Sequence, residues 1–241
     1  MLETGARGLD LEAGRQSPDL GWALARPSCD VRDLWRMRYG DALAVQHELV
    51  ERRKRGETGD QLLFVEHPHV VTMGRNGHAG NLLASPDLLE RSGIEFHLTD
   101  RGGDVTYHGP GQIVGYPILD LRDWKRDVVA YIRGLEEVLI QALAEFGIAA
   151  GRRAGASGAW VGDAKVAAVG VHISRWVTSH GFALNLNTDL NYFQYIIPCG
   201  LKQPVTSMRA LGSNATRSDV TAALSHAFAR VFGRTMRMET A

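Results

Sequence analysis

Three stretches of the chain repeat apolar residues at the spacing of an α-helix. Their ranges are 30–56, 127–147 and 218–233, and each ends in a glycine, the residue that most often stops a helix. Asp127 is a residue type that caps helix N-termini. The apolar residues that share one face are Val31, Leu34, Met37, Ala42, Leu43, Leu49 and Val50 in the first stretch, Val128, Ile132, Leu135, Val138, Leu139, Ala142, Leu143 and Phe146 in the second, and Val220, Leu224, Ala227, Phe228 and Val231 in the third.

Between these stretches, short apolar runs alternate or continue in the manner of β-strands. A hairpin connection, 162–164, joins two of them, and the last run alternates so that Phe182, Leu184 and Leu186 face the core. Strands and helices in this order predict an α+β fold, in which helices pack on a mixed or antiparallel β-sheet. The predicted strands are 62–65, 70–72, 94–98, 113–119, 158–161, 165–173 and 176–187.

Residues 1–29 differ from the rest of the chain because they mix Gly, Pro, Ser and charged residues without periodicity. We expect them to form a weakly ordered N-terminal extension, with Cys29 in an irregular stretch. No internal repeat or low-complexity linker divides the remainder. Residues 30–241 are therefore predicted to form a single domain.

Charge and apolar content limit the partners of the protein. The 27 Lys and Arg residues balance 27 Asp and Glu residues, so no net field attracts nucleic acid or an anionic membrane. No apolar run approaches the roughly 20 residues that span a bilayer, and the N-terminal residues contain no secretory signal. The two cysteines are too few for a disulfide framework, which indicates a reducing compartment. We expect a cytoplasmic protein that binds neither nucleic acid nor membranes.

Cys199 lies between Pro198 and Gly200, where the backbone has to turn. Such a turn presents a thiol and lets backbone amides approach it, as a nucleophile requires. A free cysteine is also among the most commonly buried residues. The segment alone therefore fits either a catalytic cysteine or a buried core cysteine.

Glycines are dense over 100–112, between two predicted strands. They let a ligand lie against backbone amides, while Arg101, Thr106, Tyr107 and His108 add donors and a stacking face. The alternative is a turn that merely needs positive φ angles. The interleaved polar and aromatic residues favour a binding loop. The segment lacks the lysine of a phosphate-binding loop, so it gives little indication of a nucleotide.

Lys165 stands among small and apolar residues at the start of a predicted strand. It fits the polar edge of a hairpin. It also fits a group that takes the proton of a nearby thiol or stabilises its thiolate.

The histidines suggest two further kinds of site. His67 and His69 have the spacing of a ligand pair, but no matching cluster of Cys or carboxylates follows, so we predict no metal site. His108, His172 and His180 border small residues in predicted strands. Each of the three fits either a base for Cys199 or a core histidine.

Four blocks of the sequence resemble one family. Residues 101–112 resemble the Arg-Gly-Gly-x-x-Thr-x-His-Gly-Pro-Gly-Gln signature of bacterial lipoyl(octanoyl) transferases. The blocks 72–75, 158–170 and 197–200, the last with 205–208 downstream, match that family in the same order. The resemblance covers roughly residues 32–232 and leaves out the N-terminal extension.

The resemblance implies a fold like the catalytic domain of biotin and lipoyl ligases. It implies transfer of an octanoyl or lipoyl group from octanoyl-acyl carrier protein to a lysine of lipoyl domains, the first step of protein lipoylation. The acceptors would be the glycine cleavage H protein and the 2-oxoacid dehydrogenase complexes. No cofactor is implied.

The same resemblance gives roles to residues. Cys199 would carry the acyl group as a thioester, and Lys165 would lower the pKa of that thiol. The 30–241 domain would then be a catalytic domain. The acyl group would be bound by Arg101, Gly102, Gly103, Asp104, Val105, Thr106, Tyr107, His108, Ala168, Val169, Gly170, Gly181, Phe182 and Ala183.

Three other functions remain open from the sequence. A lipoate or biotin ligase of the same fold would activate a free acid with ATP and need no cysteine. A non-enzymatic acyl-carrier or lipoyl-domain binding protein would leave Cys199 inert. A Cys-His hydrolase would need one of the three histidines as its base. An acidic carrier protein would dock on a basic patch, for which Arg152–Arg153 and Lys125–Arg126 are the candidates.

Overall fold

The computed structural model describes residues 26–197 and 203–238 of the chain. Its α-helices are α1 Tyr39–Lys54, α2 Pro86–Arg91, α3 Val128–Ala144 and α4 Arg217–Phe232. Asp127 caps α3 by accepting a hydrogen bond from the Ala130 amide, and Gly233 ends α4 at φ +63°. The predicted ends of these two helices are confirmed. Within the described residues, no helix has the length and apolar content to cross a membrane.

The strands are β1 Ser28–Arg36, β2 Asp60–Glu66, β3 Val70–Met73, β4 Glu95–Leu98, β5 Val105–His108, β6 Gln112–Ile118, β7 Gly151–Arg153, β8 Ala156–Val161, β9 Ala164–Ser174, β10 Val177–Asn185 and β11 Thr235–Met238. They form two sheets. The larger has the order β11-β1-β2-β6-β10-β9-β8-β7, and the smaller has the order β4-β3-β5. β1 pairs in parallel with β2 and β11, whereas the other neighbours in the large sheet are antiparallel. The predicted α+β fold with a mixed sheet is confirmed.

The first predicted helix starts too early in the sequence. Residues 28–36 form β1, in which Cys29 and Val31 are buried and alternate with more exposed residues. Cys29 therefore lies in a strand and not in an irregular stretch. The spacing of Val31, Leu34 and Met37 fits a helix, but the parallel pairing of β1 with β2 and β11 determines the structure. The rest of the predicted extension, 1–25, lies outside the described residues.

Other short elements escaped the sequence analysis. β5 lies inside the 100–112 segment, which was interpreted as a loop, and pairs antiparallel with β3. α2, β7 and β11 contain six, three and four residues, so they are too short to show a period.

Helices cover the large sheet on both faces. α3 and α4 pack on one face in a core that contains Phe182, Leu184 and Leu186, as predicted. α1 packs on the other face against β6 and β10. The small sheet has its own core, to which Val71, Val105 and Tyr107 contribute.

A buried cluster of rings joins α1 to both sheets. Tyr39, at the start of α1, lies 5.5 Å from His67 and 6.3 Å from His108 between ring centroids. His67 donates through Nδ1 to the Met37 carbonyl at 2.7 Å, so its Nε2 accepts from the Tyr116 hydroxyl, also at 2.7 Å. Burial lowers the pKa of His67 to about 4 and the pKa of His108 to about 3. Both rings are therefore neutral at pH 7.

These two histidines should make the protein less stable in mild acid. The unfolded chain protonates each ring near pH 6.5, whereas the folded chain resists protonation down to about pH 4 for His67 and about pH 3 for His108. Their contribution to stability is therefore present above pH 6.5 and is lost as the pH falls towards 4. By linkage, each ring lowers the free energy of unfolding by about 2 kcal/mol at pH 5.

Urea denaturation at pH 7 and pH 5 measures this effect. Between the two pH values, His67→Gln should lose about 2 kcal/mol less stability than wild type does. His226→Gln, at an exposed position on α4, is the control and should behave as wild type does. A His67→Gln variant that loses as much stability as wild type between pH 7 and pH 5 would contradict the explanation.

Candidate active site

The central strands leave an open strip because their side chains are small. β9 and β10 pair so that Ala168 faces Ala183 and Gly170 faces Gly181. A Cβ atom on Gly181 would lie 2.1 Å from the Gly115 carbonyl oxygen, so β6 and β10 approach as closely as they do only because glycine is present.

A cavity lies on this strip, between the large sheet, α1 and the small sheet. We call it the main cavity, and it is open to solvent at its mouth. Its lining is mostly apolar, as in binding sites for small molecules. The lining residues are Tyr39, Arg101, Gly103, Thr106, His108, Val114, Tyr116, Ser157, Ala168, Val169, Gly170, His180, Gly181, Phe182 and Ala183.

A second, smaller cavity continues from the first. We call it the side cavity. It shares Thr106, Ala168 and Ala183 with the main cavity, and Lys165 lines its other end. The remaining lining residues are Gln112, Ala167, Asn185, Phe193 and Val205.

Lys165 is held firmly at this end. Its amide donates to the Pro204 carbonyl and its carbonyl accepts from the Thr206 amide, both at 2.9 Å. The residue is only 8% exposed, and its Nζ lies 4.8 Å from the ring centroid of Trp160. Cys199 lies outside the described residues. Before it, the Ile197 amide donates to the Asn81 carbonyl at 2.7 Å, and after it, the Pro204 carbonyl accepts from Lys165.

The segment 100–103 forms one wall of the main cavity. Arg101 is buried, and its Nη2 donates to the Thr72 carbonyl at 2.7 Å and to the Thr72 hydroxyl at 2.9 Å. The Gly102 amide donates to the Val171 carbonyl at 2.8 Å, which fixes the segment against β9. Gly103 has φ +87°, a conformation that favours glycine. The glycines of this segment therefore allow the backbone to turn, and they also shape the wall of the cavity.

Ten of the predicted binding positions line the main cavity, and four line neither cavity. Gly102 anchors the segment, and Asp104 accepts hydrogen bonds from the amides of Val105 and His78. The Tyr107 hydroxyl forms a hydrogen bond of 2.8 Å with the Nδ1 of His69. The ten lining positions are Arg101, Gly103, Thr106, His108, Ala168, Val169, Gly170, Gly181, Phe182 and Ala183.

Sequence reasoning missed several lining residues. Tyr39 begins α1, and Val114 and Tyr116 lie in a strand whose pattern indicated only burial. Gln112 and Asn185 come together at the side cavity, where the side-chain Nε2 of Gln112 donates to the Oδ1 of Asn185 at 2.9 Å. No local pattern distinguishes such residues from core residues, because tertiary packing brings them to the site.

His180 closes the far end of the main cavity. Its Nε2 donates to Asp100 at 2.7 Å, and its backbone has φ +55°, which is rare for a residue with a side chain. Burial lowers the pKa of His180. Burial is the largest influence on the pKa of Asp100 and acts to raise it, but the hydrogen bond from His180 and the electrostatic effects of His180 and His172 together outweigh burial and leave that pKa below its usual value. His172 lies 3.5 Å from the same carboxylate.

The two cavities together form an apolar tract, whose ends at Lys165 and His180 are far apart. His180 is paired with Val171 of β9, six positions from Lys165, and a strand rises about 3.4 Å per residue, so the ends lie roughly 20 Å apart. His180 is therefore remote from Lys165. His108, with a pKa lowered to about 3 by burial, is a weak base.

Comparison with known proteins agrees with this architecture. The model of the lipoyl protein ligase A/B catalytic domain family matches residues 38–229. An octanoyltransferase of Solibacter usitatus is 61% identical over 205 residues, which cover 85% of this chain and 93% of that protein. An octanoyltransferase of Koribacter versatilis is 49% identical over 209 residues, which cover 84% of this chain and 83% of that protein.

Solved structures share the fold at lower identity. A bipartite lipoate protein ligase of Thermoplasma acidophilum, studied with its E2 lipoyl domain, superposes with a TM-score of 0.73 at 16% identity and covers 89% of this chain and 88% of that one. The expected resemblance to the catalytic domains of lipoyl ligases is confirmed. The chain belongs to the lipoyl protein ligase A/B catalytic domain family.

Proposed function

We propose that the chain is an acyltransferase that moves an octanoyl group from octanoyl-acyl carrier protein to a lysine of a lipoyl domain. The observation that carries the proposal is the apolar tract that begins at Lys165 and continues along β9 and β10 to His180. Octanoyltransferases that are up to 61% identical to the chain support the same activity. The glycine cleavage H protein and the 2-oxoacid dehydrogenase complexes are the proposed acceptors.

The main cavity has the length of an eight-carbon chain. Along β10 it reaches from Ala183 to His180, which is three residue steps or roughly 10 Å. An extended octanoyl group with C–C bonds of about 1.5 Å measures about 9 Å along its zigzag. The acyl tail would lie in the main cavity, and its carbonyl would lie where the two cavities meet, at Ala168 and Ala183, on the side that leads to Lys165.

The proposed reaction has two steps. The thiolate of Cys199 attacks the carbonyl of the donor thioester, a new S–C bond forms, and the thiol of the carrier leaves. The amine of the acceptor lysine then attacks the acyl-Cys199 carbonyl, an amide forms, and the Cys199 thiolate is released. Because a thioester keeps the acyl group activated, neither step needs ATP.

Lys165 is the proposed partner of that thiol. An ammonium group stabilises a nearby thiolate, and the amine can take up and return the protons of the two steps. Its backbone hydrogen bonds to Pro204 and Thr206 support this role, because they hold Lys165 against the chain that follows Cys199.

The alternatives meet different obstacles. A ligase would consume ATP, and the similarity to solved ligases at 16% identity concerns the fold alone. A Cys-His hydrolase needs a basic imidazole, but His108 is neutral down to about pH 3 and His180 is remote from Lys165. A binding protein without catalysis would form no covalent acyl adduct, so a mass measurement distinguishes it.

One of the two predicted basic patches lies near the site. Arg153 contacts Trp160, which in turn contacts Lys165. The other patch, Lys125 and Arg126, follows the 121–124 turn. The Leu121 amide of this turn donates to the carbonyl of Trp176, just beyond the opposite end of β9. We propose that the acidic donor protein docks at Arg152–Arg153, where its carboxylates would compete with Glu137 and Asp163 for the two guanidinium groups.

Intact-mass spectrometry tests the covalent step. Wild type mixed with octanoyl-acyl carrier protein should gain the mass of one octanoyl group and pass it to a lipoyl domain without ATP. Cys199→Ala should gain none, and Lys165→Ala should acylate at least about 100-fold more slowly, a typical loss for removal of an acid–base group.

Cys29→Ala is the matched control for the other cysteine. Burial raises the pKa of the Cys29 thiol, so this thiol should not react and the variant should acylate as wild type does. If wild type forms no adduct, or if the acceptor is acylated only in the presence of ATP, the proposed mechanism is wrong.

Ala183→Val should change the preferred chain length. Ala183 lies where the two cavities meet, so two added methyl groups narrow the path of the tail. The ratio of kcat/KM for octanoyl-carrier to that for butanoyl-carrier should fall by at least about tenfold. Ala215→Val, in the loop before α4, is the control and should leave the ratio unchanged. An unchanged ratio in Ala183→Val would place the acyl chain elsewhere.

A further inference from the structure

Trp160 is the cross-strand neighbour of Lys165. The two residues pair between β8 and β9, and a register shift lies just before Trp160. The Lys165 Nζ lies 4.8 Å from the centroid of the indole, within the distance at which the negative face of the ring attracts a cation.

The indole is fixed, whereas a lysine side chain has many rotamers. Trp160 is 4% exposed, and its Nε1 donates to the Ala156 carbonyl at 3.1 Å. Burial and this hydrogen bond set the plane of the ring. Lys165 has four rotatable side-chain bonds, and contact with a fixed ring selects among their conformations.

The same ring attracts a second cation. The Arg153 Cζ lies 5.1 Å from the Trp160 centroid, and Arg153 also bonds Asp163 at 3.1 Å. Asp163 balances the charge of Arg153, so the ring can hold both cations near each other. Trp160 therefore lies between the surface around Arg153 and the residue at the end of the side cavity.

We propose that Trp160 is a positioning residue for Lys165, holding its ammonium group at the end of the side cavity. Trp160 acts only through Lys165 and does not line either cavity. The inference rests on the proposed role of Lys165 as the partner of the Cys199 thiol. A Lys165 ammonium group that leaves this position would stabilise the thiolate less often.

The test follows the pH dependence of Cys199 alkylation, read by mass spectrometry in a Cys29→Ala background. Trp160→Leu keeps an apolar residue but removes the π face. We expect its alkylation midpoint to move to higher pH, in the direction of Lys165→Ala, and its octanoyl transfer to slow about tenfold. Trp160→Phe keeps an aromatic face and should lie between Trp160→Leu and wild type.

Trp124→Leu is the matched control. Trp124 packs on Phe232 and also has a lysine over its ring, with the Lys125 Nζ 5.5 Å from the centroid. This variant loses a comparable ring and a comparable contact at the other end of β9. It should keep the wild-type alkylation midpoint.

The outcomes separate this inference from the proposed function. If Lys165→Ala moves the midpoint but Trp160→Leu does not, Trp160 has no positioning role and the proposed function stands. If Lys165→Ala itself leaves the midpoint unmoved, the proposed role of Lys165 fails and the inference fails with it.

A second variant covers the case in which Trp160→Leu does not fold. 5,7-Difluorotryptophan placed at position 160 alone keeps the shape of the indole and weakens the negative potential of its face. The midpoint should then shift in the same direction by a smaller amount, and a midpoint equal to that of wild type would overturn the inference.

Discussion

The site depends on a strip of the central sheet that carries almost no side chains. Glycine at 181 lets β10 approach β6, and glycine at 170 lets β9 accept the 100–103 segment, since a Cβ there would lie 3.0 Å from the Gly102 carbonyl oxygen. The alanine pair 168 and 183 adds only methyl groups. The walls of the main cavity are therefore largely backbone, held by the hydrogen bonds of the ladder, and they cannot adapt as flexible side chains could.

The polar groups around this apolar strip form hydrogen bonds that fix their positions. Three hydrogen bonds fix the 100–103 segment. Arg101 donates to Thr72, the Gly102 amide donates to β9, and Asp100 accepts from His180. His67 and His108 stay neutral because burial disfavours their charged forms. His108 thus lines the apolar cavity without adding a charge to it. The Arg-Gly-Gly part of the 101–112 signature has a physical meaning in this arrangement, because its residues shape the wall of the cavity.

The sequence predicted the elements whose signals are local. Asp127 and Gly233 mark the ends of α3 and α4, and both helices exist as predicted. The prediction was wrong over 28–36, because β1 is a strand through its pairing with β2 and with β11, which comes some 200 residues later. In the site, the resemblance to a family supplied Lys165 and the lining alanines. Tyr39 had no such signal, since only the packing of α1 brings it to the cavity.

The pairing of β9 and β10 sets the distance between Lys165 and the far end of the main cavity at His180. Lys165 and Ala168 belong to β9, and Ala183 and His180 belong to the paired β10, so the rise of the strands fixes how far His180 lies from the reacting end. Loops can move by several ångströms, but a strand inside an eight-stranded sheet cannot change its rise without breaking the ladder. Under the proposed function, a cavity built in this way would measure chain length against a fixed backbone. The thioester of the proposed mechanism would already carry the activation energy, so the fold would need this cavity, a nucleophilic cysteine and a correctly placed lysine, and no nucleotide beside them.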